Sequence, residues 1–392
     1  MIKQALTPLS PFRNRPQRQS KAASLASVFV LSAMTLLLCV SLADSEGSPP
    51  VGARTPRLED QWKEKLNANT VSIIAGSPEE TYLDVTHDLA VVLNDQDLRI
   101  LPIVGMGGAQ NIRDVLYLRG VDMGITSTQM LRYFASTGEL SSELDQRITY
   151  ITRLYPEEMH VVAGPDVKSL RDLNGKKVNF SEVGSSTQIT ARDVFGLLSI
   201  SVAEVNMSQE DALVAIKNGE IAATVDFSGK PAGVFAHVQA SDNLHLVEVP
   251  YTRTLENIYL PGTLEQALYP NLIGAGQKIQ TVAVDSVLIT NNWQAGSDRY
   301  RRVAKFVEAL FTHFPDLKKP PRHPKWQEVD LGKELPGWQR FQAAQDWLQQ
   351  AKFDEFRARY QGANVQSESP VDKQRMFREF LEWQQSEAKK QR

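Results

Sequence analysis

The sequence predicts an α/β fold of two lobes, with a hinge and a ligand cleft between them and helices added at the C-terminus. Three observations predict it. A strand, a glycine turn and a helix start follow one another at three places, around Gly76, Gly107-Gly108 and Gly184. The chain builds one α/β unit, completes a second over 156–250, and then returns with its strongest strand, over 280–290. A basic leader followed by an apolar run opens the chain, as in exported proteins.

Composition sets the class. A chain of 392 residues is long enough for two lobes with cores of their own. Its 42% hydrophobic and 23% charged residues are those of an ordinary globular protein. The formal net charge of -3 gives no electrostatic reason to expect nucleic acid.

The elements follow in chain order. Lys3, Arg13, Arg15, Arg18 and Lys21 precede any acid, and 22–43 is apolar or small, ending Ser41-Leu42-Ala43. Residues 1–43 therefore read as a secretory signal cleaved after Ala43, or as an uncleaved anchor, since the run is just long enough to span a bilayer. Cys39, the only cysteine, lies inside it, so the exported chain would hold no disulfide, cysteine nucleophile or thiolate metal site. Residues 44–69 form a Ser/Gly/Pro-rich and then charged tether. The folded body starts near Val71 with a strand, then Gly76, with Ser77 as the expected N-cap and Pro78 at the first helical position. Tyr82, Val85, Leu89 and Val92 mark one face of the first helix. Arg99-Ile100-Leu101-Pro102-Ile103 reads as a short buried strand, and Ile112, Val115, Leu116 and Leu118 as the helix after the Gly107-Gly108 turn. A short strand follows Gly120 and ends in polar Thr126-Ser127-Thr128-Gln129, the position at which open α/β sheets place ligand contacts.

Two strands are expected within 148–163, one before and one after Pro156. A glycine stop at Gly175, a strand at Lys177-Val178-Asn179-Phe180 and a turn at Gly184-Ser185-Ser186-Thr187 come next. Ile189, Val194, Leu197 and Leu198 mark a helix. A further helix, turn and strand end in Asp226, and 244–249 returns as a strand. The expected division is 70–155 with 251–350 as lobe 1, 156–250 as lobe 2 and 351–392 as a C-terminal helical extension. In that last region Met376, Phe377, Phe380, Leu381 and Trp383 form an aromatic stripe.

These motifs carry a family resemblance over about 70–314. Ile74-Ala75-Gly76 with Thr81-Tyr82, the turn Gly107-Gly108-Ala109-Gln110-Asn111-Ile112 and Gly120-Val121-Asp122 occur in order. Asp172-Leu173-Asn174-Gly175-Lys176-Lys177-Val178 with Gly184-Ser185-Ser186-Thr187, and Asn218-Gly219-Glu220-Ile221 through Asp226, complete the series. The sequence resembles the solute-binding subunits of TAXI-type TRAP transporters, which have the type 2 periplasmic binding protein fold. That resemblance implies a periplasmic protein that captures a small carboxylate-bearing metabolite, an amino acid such as glutamate or an organic acid. It would hand the solute to the membrane components of a TRAP transporter. A membrane-tethered ligand sensor of the same fold is the alternative. The candidate ligand-binding residues are Gly76, Ser77, Thr81, Tyr82, Gly107, Gly108, Asn111, Ser127, Gln129, Gly184, Ser185, Ser186, Thr187 and Asp226.

Two departures from the family pattern bear on the ligand. Ser186 replaces the second glycine of the Gly-Ser-Gly-Thr loop, and Glu79 and Glu80 bring two carboxylates to the first loop. Those acids either complement the helix dipole or meet a ligand ammonium. No cofactor and no metal are expected, because the six histidines lack metal-ligand spacing and no nucleotide fingerprint occurs. No enzymatic activity is expected either. The resemblance extends to the fold of hydroxymethylbilane synthase, whose chemistry needs a cofactor-bearing cysteine.

Overall fold

The computed structural model describes residues 57–361, except Glu79 and Gln96, together with 378–380 and 382–383. The expected signal segment, the first half of the tether (44–56), and Met376, Phe377 and Leu381 lie outside the described residues. No helix among the described residues is long and apolar enough to cross a membrane.

Helix α1 (Leu58–Ala68) leads into β1 (Thr70–Ile74), α2 (Thr81–Leu93), β2 (Arg99–Ile103), α3 (Gly108–Tyr117), β3 (Met123–Ser127), α4 (Thr128–Thr137) and the short α5 (Leu144–Arg147). Then come β4 (Ile148–Ala163), β5 (Lys177–Asn179), α6 (Ser186–Leu197), β6 (Ala203–Val205), α7 (Gln209–Lys217), β7 (Ala223–Ser228) and α8 (Gly233–Ala236). The chain continues through β8 (His245–Leu246), α9 (Arg253–Glu256), β9 (Leu260–Glu265), β10 (Lys278–Asn291), α10 (Asp298–Thr312), α11 (Phe314–Leu317) and α12 (Gln342–Gln361).

The strands form one curled mixed sheet in the order β2-β1-β3-β10-β4-β7-β5-β6, with β9 paired to β10 and β8 to β4. Two parallel sets, β2-β1-β3 and β7-β5-β6, flank the antiparallel pair β4–β10. That pair makes the fold two-lobed, because the C-terminal half of β10 joins β3 while its N-terminal half joins β9. Each lobe is apolar on both faces of its part of the sheet. Val71 and Ile73 of β1 face α2 and α10, whereas Ile74 joins the Ile112, Val115 and Met130 cluster of α3 and α4. In the second lobe Val161 and Val225 pack with Phe180 and Val194, while Val162 joins Ala212, Phe235 and Tyr269.

Three expectations are corrected here. The two strands expected around Pro156 are the single sixteen-residue β4. Proline tolerates this place because it stands opposite Asp285, where the β4–β10 register slips. There Ser286 Oγ donates to Tyr155 O (2.8 Å) and accepts from Tyr155 N (3.2 Å) in place of a regular rung. The buried strand expected over 99–103 is a sheet edge, exposed at three of its five residues. Residues 251–284, expected in lobe 1, place Leu255, Tyr259, Leu264, Tyr269, Val282 and Val284 in the second lobe's cores. The physical reason is the length of β10, which enters from the second lobe before it reaches β3. From the C-terminal half of β10 onward the chain lies in the first lobe, where Val303 and Phe306 of α10 and then Trp326, Phe341 and Ala344 are buried.

Candidate functional site

The site is built from the ends of parallel strands. Beyond β1 and β2 the two loops run side by side, with Ala75 N donating to Ile103 O (2.9 Å) and Gly105 N to Gly76 O (3.2 Å). A Cβ at Gly105 would stand 2.7 Å from Ala75 O, so the loops meet backbone to backbone. Gly107 has a φ of 75° and serves as the N-cap of α3 without a capping side chain. The Glu80 carboxylate lies in this cradle. It accepts a hydrogen bond from Ser77 N (3.2 Å), its space overlaps the place a Cβ on Gly76 would take, and it lies 3.3 Å from the Cβ position of Gly107. This corrects the expected helix start. Ser77 is not the N-cap, since α2 begins at Thr81 with Glu80 as its N-cap residue, and the Ser77–Glu80 turn precedes it. Glu79 lies outside the described residues.

Opposite this cradle stands the second lobe. Helix α6 begins at Ser186, capped by the Ser185 hydroxyl, which accepts from Gln188 N (3.1 Å). Gly108 faces Ser186 so closely that a Cβ there would overlap the serine. Thr187 donates to Asp226 Oδ1 (3.1 Å) and accepts from Phe227 N (3.2 Å). Three residues of α2 and α4 complete the facing surfaces. Thr81 donates to Gly229 O (3.2 Å) and lies 3.2 Å from the Ser228 hydroxyl. Gln129 donates to Asp193 of α6 (2.9 Å), which also accepts from the Tyr259 hydroxyl (2.6 Å). Tyr82 is buried, with the Glu157 carboxyl as the strongest charge acting on its hydroxyl.

Thus Gly76, Ser77, Thr81, Tyr82, Gly107, Gly108, Gln129, Ser186, Thr187 and Asp226 come together where the lobes face. The other four candidates do local work. Asn111 ties three carbonyls, those of Ile74, Ala75 and Ile125. Ser127 caps α4, Ser185 caps α6, and Gly184 N donates to Gln188. Asp122 accepts from Ser72 N (3.0 Å) and pairs with Arg299 (2.7 Å).

Electrostatically the facing surfaces are acidic. Burial pushes Glu157 well above the usual carboxylate range; the Tyr82 hydroxyl opposes this, and the nearby Glu80, Asp226 and Glu158 add to it. Burial likewise raises Asp226 to about 6 against the pull of Thr187. The hydroxyls of Tyr82 and Tyr155 are buried without a hydrogen-bond partner of normal geometry. Sequence reading missed Tyr155, Glu157, Asp193 and Ser228. A signal for one of them existed: Glu157-Glu158 sits inside an otherwise apolar strand, where a carboxylate is costly unless something compensates it. A surface hollow of about 740 Å³, bordered by Arg171, Leu198, Thr252 and Lys278, contains none of these residues. Among the described residues no group of three or more His, Cys, Asp or Glu could hold a metal ion.

The model of the NMT1-like family matches residues 73–336. Among solved structures the chain is similar to the periplasmic aliphatic sulphonate binding protein SsuA from Escherichia coli, at 13% identity over 66% of this chain and 76% of that one, with a TM-score of 0.41. It is similar to holo ArgBP from T. maritima at 13% identity, covering 66% and 95% of the two chains, with a TM-score of 0.38. A histidine kinase sensor domain with similarity to periplasmic binding proteins matches at 14% identity, over 66% and 96%, with a TM-score of 0.40.

Proposed function

The chain belongs to the NMT1-like family, and from that premise we propose that it is a periplasmic solute-binding protein that holds a small carboxylate-bearing metabolite between its lobes. It delivers that solute to the membrane components of a TRAP transporter, as the TAXI resemblance implies. The observation that carries the reading is the meeting of the N-terminal turns of α2, α3 and α6 at the facing surfaces. The Glu80 carboxylate against Ser77 N, between Gly76 and Gly107, is a carboxylate of the chain itself in the place such turns offer an anion. An amino acid suits the site better than a diacid, because Glu80, Glu157 and Asp226 repel a second negative charge in a water-poor space.

Calorimetric titration with amino acids and organic acids tests the proposal. A ligand that binds the parent is expected to lose at least tenfold in affinity in Gly107→Val, which adds a side chain at a positive φ beside Glu80. Circular dichroism checks that the variant keeps its fold. Unchanged affinity in a folded variant would move the ligand away from this surface.

A further inference from the structure

We propose that the Glu80 carboxylate is a displaceable plug: it fills the cradle that receives a carboxylate of the solute, and the solute binds by turning it out. The inference rests on the reading that the solute lies between the lobes, and it names how access to that site is regulated.

Two independent observations point to it. The first is where the carboxylate goes. Glu80 is the N-cap residue of α2, yet its side chain makes no hydrogen bond that caps α2. It turns back instead, accepts from Ser77 N (3.2 Å) and lies against Gly76, in the space that a Cβ there would take. An acid that only complemented its own helix would face the first N–H groups of that helix. This one faces the neighbouring loops.

The second is what receives it. Helix α3 begins with Gly107 as its N-cap, and glycine has no side chain to cap a helix. The two carboxylate oxygens of Glu80 stand 3.3 and 3.9 Å from the Cβ position of Gly107, and Ser186 Oγ of the second lobe stands 3.9 Å from the same point. Gly76 and Gly107, both buried, thus leave a space at the seam of the lobes that one carboxylate of the chain fills. The start of a helix attracts an anion whether it belongs to the chain or to a solute.

Turning the plug out needs no change of backbone. Glu80 N stays bonded to Ser77 O (3.0 Å) and Glu80 O to Leu83 N (3.0 Å), and these bonds do not involve the side chain. Glu80 is only half-buried, so rotation about its side-chain bonds carries the carboxylate to water. The apparent affinity of such a site is its intrinsic affinity reduced by the fraction of molecules in which the plug is out.

The test is calorimetric titration of the full chain, Glu80→Ala and Glu80→Gln with L-glutamate, succinate and L-alanine, and with L-alaninamide as a probe without a carboxylate. At least one of the three acids is expected to bind Glu80→Ala at least tenfold more tightly than the parent, or to bind the variant alone. Glu80→Gln keeps an oxygen for Ser77 N but loses the charge, and is expected to gain in the same direction. L-alaninamide should gain nothing, and adding Gly107→Val should remove the gain. Circular dichroism checks each fold. No gain in either variant that folds, with binding lost in Gly107→Val, overturns the plug and leaves the interlobe site standing, with Glu80 as a fixed cap of α3. A gain for L-alaninamide as large as that for the acids overturns the plug too. Acids that bind none of these proteins, or bind Gly107→Val as they bind the parent, overturn both the plug and the interlobe reading.

Discussion

Asp226 shows how one residue sets a sign. Its carboxyl is buried, bonded to Thr187, and titrates at about 6 in the fold, whereas an unfolded aspartate titrates near 3.9. The folded state therefore binds the proton more tightly, and stability from this group is lost as pH rises from about 4 through about 6. Asparagine keeps an oxygen for Thr187 and has no charge to bury. Asp226→Asn is thus expected to be more stable than the parent at pH 7 by about 2–3 kcal/mol, and to match it near pH 3.5. Melting temperatures of the ligand-free proteins at the two pH values check this; a difference that does not vary with pH contradicts it. His160 acts in the opposite sense. Burial holds its imidazole at about 3, with Nε2 on the Tyr269 hydroxyl (2.7 Å) and one ring nitrogen on Glu158 O. The unfolded chain takes up that proton first as pH falls below about 6.5, so stability from His160 is lost toward acid. Between pH 4 and 6 the two residues offset one another.

At the scale of elements, the junction of β4 with the segment after α11 is the most sensitive. Lys325 is fully buried and bonds Glu158 of β4 (2.7 Å) and Glu328 (3.0 Å), while its neighbour Trp326 fills the first lobe's core. Lys230, just beyond β7, reaches the same glutamate and the Thr263 carbonyl of β9. One buried carboxylate thus ties both lobes at the place where β4 passes between them. Lys325→Met leaves that carboxylate without its closest partner and is expected to cost about 3–5 kcal/mol in urea unfolding. Adding Glu158→Gln removes the uncompensated charge and is expected to recover part of the loss. A double variant no better than the single one would show that packing of the lysine stem, not the ion pair, sets the cost.

For the whole molecule the decisive variable is how closely the lobes face. Thr81 with Gly229, Gly108 against Ser186, and Gln129 with Asp193 all cross between them. Asp193 takes one of these crossing bonds, from Gln129, and is held in place by a second from Tyr259 of its own lobe, so it is the handle for testing closure. Charge-assisted hydrogen bonds of this kind contribute about 1.5–3 kcal/mol each. Asp193→Ala is therefore expected to shift the ligand-free population toward open forms, seen as a larger radius of gyration in small-angle scattering. Saturating ligand should restore most of the compaction. A radius of gyration equal to the parent's would mean that the seam is held elsewhere, by the β4–β10 pair.

The sequence by itself determined the local units. Apolar alternation over 280–290 and helical spacing after each glycine turn are short-range patterns that a chain carries in one dimension. That is why β1, α2, α3, β3, α6, β7 and β10 were legible, with the glycines between them. Ten of the fourteen candidate residues meet where the lobes face for the same reason, since residues just past parallel strands share one edge of the sheet. Tertiary structure alone decided the rest. Pro156 sits inside a continuous strand only because the partner strand slips opposite it, and β10 carries 278–284 into the second lobe only because of what it pairs with there. Asn111, Ser127 and Ser185 turned inward to backbone groups that no spacing reveals. Glu157 and Tyr155 gained their setting from Tyr82, Glu80 and Asp226, which lie far along the chain or on another strand. Charge is long-ranged and additive in space, so the acidity of the site belongs to the folded arrangement and not to any one motif.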